Sequence, residues 1–149
     1  MKTSLGYPTG DAALQVLAGS GHPERSDALT PIITADAVVQ MIDLVRDNHV
    51  DPAVLAYVQA LAEATRADAD ALLGVSTRGA ISMVRAARVW AAAHGRPYVL
   101  PDDVKELAAP LWQHRVILHP EAEFSGASAA DVLARALASV EPPRQRADA

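Results

Sequence analysis

The sequence predicts an all-α fold, a bundle of about five or six helices joined by short extended links, on three observations. Half of the 149 residues are hydrophobic but only 4% are aromatic. Alanine, leucine and valine therefore fill the core, and such small side chains suit close-packed helices better than a sheet sandwich rich in β-branched and aromatic residues. Apolar residues recur at helical spacing, with no long alternating strand pattern. Helix-start and helix-stop residues stand where that spacing begins and ends. Ten prolines and eight glycines are enough to punctuate several short elements, and too few for a disordered chain.

The elements follow in order. After a turn at Gly6, Tyr7 and Pro8, the first helix runs from about Asp11 to Ala18. The stretch from Gly19 to Pro31, rich in Gly, Ser, Pro and charge, is a loop. Thr34 is an N-cap, and behind it Val38, Met41, Ile42 and Val45 repeat at helical spacing. Asp51 followed by Pro52 opens a third helix, with Leu55, Val58, Leu61 and Ala64 on one face. Ser76 or Thr77 caps a fourth helix that runs to about His94 and stops at Gly95, a residue that takes the left-handed conformation at little cost. Ala80, Ile81, Val84, Ala87, Trp90 and Ala91 leave this helix only a narrow polar strip, the pattern of a helix in the middle of a bundle. Tyr98-Val99-Leu100 is an extended link. Pro101-Asp102-Asp103 opens a fifth helix with Val104, Leu107 and Ala108 inward, and Pro110 is expected to kink or end it. Val116-Ile117-Leu118 is a second extended piece, and a sixth helix covers roughly Ser128 to Ser139. Residues 9–140 are thus one helical domain, and the charged, proline-containing residues 141–149 are expected to be a disordered tail.

Several function classes are disfavoured. Net charge is −5 and the arginines are scattered singly, whereas a nucleic-acid binder shows a basic stripe. There is no cysteine, hence no disulfide or thiolate metal site, which fits a cytoplasmic location. Neither an apolar signal-peptide core nor a run long enough to span a membrane is present. A phosphate-cradling P-loop needs a lysine after glycine, and the only lysines, Lys2 and Lys105, do not follow one. The histidines His22, His49, His94, His114 and His119 include no pair four residues apart, and His119 with Glu121 and Glu123 reads as a solvated acidic loop, so no metal site is assigned. Asp102 and Asp103 are explained by the dipole of the helix they begin. No catalytic residue is assigned.

One feature resists a bland reading. Val75-Ser76-Thr77-Arg78-Gly79-Ala80 puts an arginine in the first turn of the fourth helix. A cation there opposes the helix dipole by about 0.3–1 kcal/mol. The same turn offers unpaired N–H groups to an anion, and a guanidinium fork matches phosphate oxygens. Gly79 clears a side chain from that turn, and Arg78, Ser82 and Arg85 share one strip of the helix. Two readings stand: Arg78 is solvated or paired with a nearby acid, or it meets an anion delivered from elsewhere.

The segment GVSTRGAISMVRAARVWAAAHGRPYVLPDDVKELAAPLWQHRVIL resembles the lid of MoxR-type AAA+ ATPases. The family elements occur in order: the helix start at Ser76 to Arg78, paired Arg85 and Arg88, the Gly95 to Val99 link, the Pro101 to Val104 helix start, and His114-Arg115. Upstream, Ser4 to Pro8 resembles the junction between core and lid, so residues 1–8 would be the end of the core and the hinge. Ala64-Thr65-Arg66 also resembles a family segment, without a role beyond an expected salt bridge for Arg66. Thr77 stands where the family often has proline, and Leu100 where it often has threonine, so the fifth helix is expected to lack a side-chain cap.

The resemblance implies a function. ATP, as Mg-ATP, would lie between a core carrying the P-loop and this lid. Arg78 would be the sensor 2 arginine that reaches the terminal phosphates, and Gly6, Tyr7 and Pro8 a hinge near the adenine. The chain alone would be inactive. Its partners would be that core, neighbouring subunits of a ring, commonly a hexamer, and proteins with von Willebrand A domains. The alternative is a free-standing helical interaction module from a truncated or split gene.

Overall fold

The computed structural model describes residues 1–19 and 29–144. Most of the expected Gly19 to Pro31 loop and the last five residues of the expected tail lie outside the described residues. The chain divides into two compact units, Thr3–Ile42 and the remainder from Asp43 onward together with Met1–Lys2.

The first unit holds helix α1 (Gly10–Ala18) and most of α2 (Ala35–Arg46). Thr34 caps α2, its hydroxyl accepting the Ala37 N–H at 3.2 Å. The helix forms where the apolar spacing places it, yet neither α1 nor α2 has a buried residue. Val38, Met41 and Ile42 are 40%, 55% and 55% exposed.

In the second unit α3 (Pro52–Ala67) starts as expected, with the Asp51 carboxylate accepting the Ala53 N–H at 2.7 Å and proline in the first turn. Its buried face is Val54, Tyr57, Val58, Leu61, Ala62 and Thr65. The face expected from Leu55 and Ala64 is therefore corrected: Leu55 is exposed and Ala64 half-buried. An alanine-rich helix is apolar on more than one side, so periodicity leaves the inward direction loose by about one residue.

Helix α4 (Thr77–Ala93) ends as the sequence predicts. Gly95 has φ 70°, its N–H reaches the Ala92 carbonyl and the Arg96 N–H the Ala91 carbonyl, both at 2.9 Å, a pairing that closes a helix C-terminus. It packs against α3 and α5 (Pro101–Trp112). It is not enclosed all round, however: Gly79, Ala80, Met83, Ala87 and Ala91 are buried, while Ile81 and Val89 are about half exposed. Val104, Leu107 and Ala108 of α5 face inward as expected, and so do Leu111 and Trp112. Pro110 does not end this helix. Only one hydrogen bond is lost to it, and the two residues beyond are anchored, Trp112 being 1% exposed with its indole N–H on the Gly79 carbonyl at 3.0 Å.

The remaining elements are short. A 3₁₀ turn (Gln113–Arg115) leads to β2 (Ile117–Leu118), which pairs antiparallel with β1 (Ala71–Leu73). β1 is too short to show alternation in the sequence. The expected acidic loop after His119 is a helical turn, α6 (Pro120–Phe124). Helix α7 (Ala129–Ser139) begins with a reciprocal cap between Ser128 and Asp131 and packs on α3 and α5. Buried Asn48 donates to the Arg88 and Arg96 carbonyls, fixing the chain entering α3 against the end of α4. Residues 141–144 carry no helix or strand.

Candidate functional site

The Arg78 turn is held from both sides. Behind it, the buried Thr65 hydroxyl of α3 donates to the Ala62 carbonyl at 2.7 Å and accepts the Val75 N–H at 2.9 Å. The next residue, Arg66, donates from Nη1 to the Val75 carbonyl at 3.0 Å. Both backbone groups of Val75 are thereby bound to adjacent residues of one helix. Gly74 makes this possible, because a Cβ there would lie 2.5 Å from the Arg66 nitrogen and 2.6 Å from its Cα. The expected salt bridge of Arg66 is replaced by this hydrogen bond to a backbone carbonyl. No carboxylate pairs with it among the described residues.

On the other side, Gly79 is buried and its carbonyl accepts the Trp112 indole N–H. A Cβ at position 79 would meet the Val75 side chain at 2.8 Å and the Arg115 Cδ at 3.6 Å. The stem of Arg115 thus lies over this turn, while its Nε donates to the Leu111 carbonyl at 3.0 Å. Sequence reasoning did not place Thr65, Gly74, Trp112 or Arg115 at the site. The one available signal was Thr65, a polar residue four positions from Leu61 on the apolar face of α3.

Between these clamps stands Arg78. It is exposed, and among the described residues it has no ion pair and no side-chain hydrogen bond. Of the first N–H groups of α4, that of Gly79 is taken by the Ser76 hydroxyl at 3.3 Å and that of Ala80 by the Ser76 carbonyl at 3.0 Å. The Thr77 and Arg78 N–H groups precede the first bond of the helical ladder and remain available to an acceptor. Ser82 donates its hydroxyl to the Arg78 carbonyl at 2.9 Å and so belongs to the helix rather than to a ligand. The turn therefore combines a free guanidinium, two free backbone donors and the positive end of a helix dipole, a set that suits an anion such as a phosphate.

Gly6, Tyr7 and Pro8 lie in the first unit and are all exposed. Gly6 has φ 69°, with nothing within 4 Å of the position a Cβ would take. The carboxylates Asp102 and Asp103 separate in role. Asp102 takes only Lys105, whereas buried Asp103 forms a double hydrogen bond with Arg96, at 2.6 and 2.9 Å, and accepts the Leu100 N–H at 2.8 Å. Leu100 gives no side-chain cap, as its identity predicts. Burial pushes the Asp103 carboxyl up, but the Arg96 guanidinium and the Leu100 N–H together hold it below its ordinary value. No group of three or more metal-ligating side chains occurs among the described residues, His119, Glu121 and Glu123 included. No helix among them is long and apolar enough to cross a membrane.

A small helical domain of this kind defines a class, and comparison with known proteins agrees. The model of the AAA lid domain family matches residues 63–138, half of the chain; the chain belongs to that family. Its relatives make the affiliation MoxR-like. It is 43% identical over 89 residues to Protein MoxR of Paracoccus denitrificans, covering 51% of this chain and 26% of that one. It is 27% identical over 157 residues to Chaperone MoxR1 of Mycobacterium tuberculosis, covering 98% and 41%. It is 33% identical over 145 residues to the uncharacterized protein YeaC of Bacillus subtilis, covering 97% and 45%. A crystal structure of a candidate ATPase from Cytophaga hutchinsonii superposes with a TM-score of 0.77 at 29% identity, over 97% of this chain and 46% of that one. The chain thus spans less than half the length of each of these relatives.

Proposed function

We propose that this chain is the sensor 2 lid of a MoxR-type AAA+ ATPase and that Arg78 contacts the terminal phosphates of ATP held mainly by a P-loop core. The observation that carries the reading is the unpaired guanidinium of Arg78 on a turn whose flanking backbone, at Val75 and Gly79, is held by hydrogen bonds. A side chain that opposes its own helix dipole and has no acid beside it is accounted for by an anion that arrives with another segment.

The residues fit the phosphate group. Arg78 would supply charge, the Thr77 and Arg78 N–H groups would supply hydrogen bonds, and the Thr65–Arg66 clamp would keep them in place. Their chemistry is electrostatic, a positive charge organised in advance where phosphate charge accumulates. Mg-ATP would supply the reacting phosphoryl group. Gly6, Tyr7 and Pro8 would serve as the hinge near the adenine, a role supported by the left-handed Gly6 and the fully exposed Tyr7 ring. Residues 1–8 would then close the core, and 9–140 would be the lid. Ring assembly, commonly of six subunits, chaperone-like remodelling, von Willebrand A partners and a cytoplasmic location follow from the same reading.

The test joins the lid to a P-loop core. Arg78→Ala is expected to lower ATP hydrolysis by about 10²-fold, the usual effect of removing one transition-state donor, while the melting temperature stays the same. Equal losses of activity and of stability would remove the sensor role. The chain alone is expected to show no tight ATP binding in calorimetry, and sub-micromolar affinity there would contradict the division of labour between core and lid.

A further inference from the structure

Arg78 is not alone at the start of α4. Arg115, the last residue of the 3₁₀ turn after α5, lays its stem over the same turn, with its Cδ 3.6 Å from where a Cβ on Gly79 would stand. The side chain is half-buried. Its Nε donates to the Leu111 carbonyl at 3.0 Å, one of the final carbonyls of α5 that the helix itself leaves without a donor. That bond explains Nε and nothing beyond it. Both Nη groups are without a hydrogen bond or ion pair among the described residues.

The charge is uncompensated as well. His114 beside it is held below its ordinary value first by burial and then by the positive charge of Arg115, with Lys2 adding to the effect. Two guanidinium groups and the positive end of the α4 dipole thus meet at one turn, and neither guanidinium has an acid partner among the described residues. Like charges so placed repel until an anion arrives between them.

We propose that Arg115 is a second phosphate-binding residue of the lid, a preset charge beside the unanchored one of Arg78. The proposal rests on the reading of the Arg78 turn as a nucleotide-phosphate site and adds a division of labour within it. The Arg115 fork is held at Nε and along its stem, so little freedom is lost when its Nη groups take an oxygen. A donor fixed before the ligand arrives holds bound nucleotide in the ground state as well as during reaction, and is read in affinity. Arg78, with its whole side chain free, follows phosphate charge as it develops and is read chiefly in turnover.

Glutamine separates this role from simple capping of α5. Its Nε2 occupies the same place along the side chain as the arginine Nε, so Arg115→Gln keeps a donor for Leu111 and removes the Nη groups and the charge. In the lid joined to its P-loop core, Arg115→Gln is expected to weaken binding of a slowly hydrolysed ATP analogue about tenfold in calorimetry, the loss of one charge-assisted hydrogen bond. AMP, which lacks the terminal phosphates, is expected to bind as it does to the parent and so certifies that the site is still built. With ATP itself, KM is expected to rise by a larger factor than kcat falls. Arg115→Lys, which keeps the charge, is expected to recover most of the affinity. An unchanged affinity for the analogue in Arg115→Gln, or an equal loss for AMP, overturns the proposal and leaves Arg115 as the cap of α5. The two arginines fail separately. Normal affinity in Arg115→Gln beside lost turnover in Arg78→Ala keeps the sensor role and removes this one; weakened affinity in Arg115→Gln beside full turnover in Arg78→Ala does the reverse.

Discussion

Arg78 and Arg96 stand at opposite ends of the same helix region, and their surroundings differ in whether an acid faces the guanidinium. Arg96, just past the end of α4, is committed to its own chain: two hydrogen bonds to Asp103 and a third to the Tyr98 carbonyl. Its partner is a carboxylate with only 5% of its side chain exposed, which in turn holds the Leu100 N–H at the start of α5. That guanidinium ties the link between two helices, its charge taken up by a buried carboxylate. Arg78, in the first turn of α4, has all its donors to spare, and the groups around it, Thr65, Arg66, Gly74 and Trp112, hold the backbone rather than the side chain. The lesson is that an arginine is read by what it leaves unsatisfied. The helix that ends by consuming one guanidinium begins by presenting another.

The comparison predicts unequal costs. Asp103→Ala leaves Arg96 without its partner at a largely buried site and should destabilise by about 3–5 kcal/mol, measured by chemical denaturation. The same pair gives a pH dependence. Asp103 titrates below its ordinary value in the folded chain, against about 3.9 unfolded. Between those two values the unfolded chain binds more protons, so stability rises with pH there. The contribution is complete above the unfolded value and is lost as pH falls through the folded one. Asp68, held low chiefly by hydrogen bonds from Arg135, adds to the same acid window. Melting followed downward from pH 5 should show that loss, and Asp103→Asn should flatten it. A profile as steep as the parent's would detach Asp103 from the effect.

Gly74→Ala comes next. Its Cβ would fall on the backbone of α3, where nothing flexible can yield, and the expected cost is about 1–3 kcal/mol. Because Val75 would move with it, the lid joined to its core should also lose hydrolysis; stability lost with activity intact would show that the clamp does not position Arg78. Arg66→Ala removes one hydrogen bond from an exposed side chain and should cost about 1 kcal/mol, with a larger proportional effect on hydrolysis than on the melting temperature. Arg78→Ala is the smallest in stability, within about 0.5 kcal/mol and on the favourable side, since a cation leaves the positive end of a helix dipole. Marked destabilisation by Arg78→Ala would make the two arginines alike and dissolve the contrast.

Much of this was legible because it is local. The all-α class, the starts of α2, α3, α4 and α7, and the stop at Gly95 depend on contacts within four residues: Thr34 with Ala37, Asp51 with Ala53, Ser76 with Gly79, Ser128 with Asp131. The unfavourable placement of Arg78 was legible too, because a basic first turn followed by glycine breaks a local rule. The inward faces of α3 and α4 were not, since alanine satisfies either orientation and only neighbouring helices choose. Pro110 misled for a related reason: the local penalty of a proline is real, but Leu111 and Trp112 are anchored by a helix far away in sequence.

The sequence by itself determined where α2, α3, α4 and α7 begin and where α4 ends, the family to which they belong, and the arginine that departs from helix chemistry, because caps, glycine dihedrals and dipoles act over one turn. The tertiary structure alone decided that Arg66 grips Val75 instead of an acid, that Gly74 and Gly79 are small because a helix backbone and a buried side chain come within 3 Å of where a Cβ would stand, and that β1 finds β2 across more than 40 residues. Those contacts join segments that folding brings together, and no short-range pattern records which of them will meet.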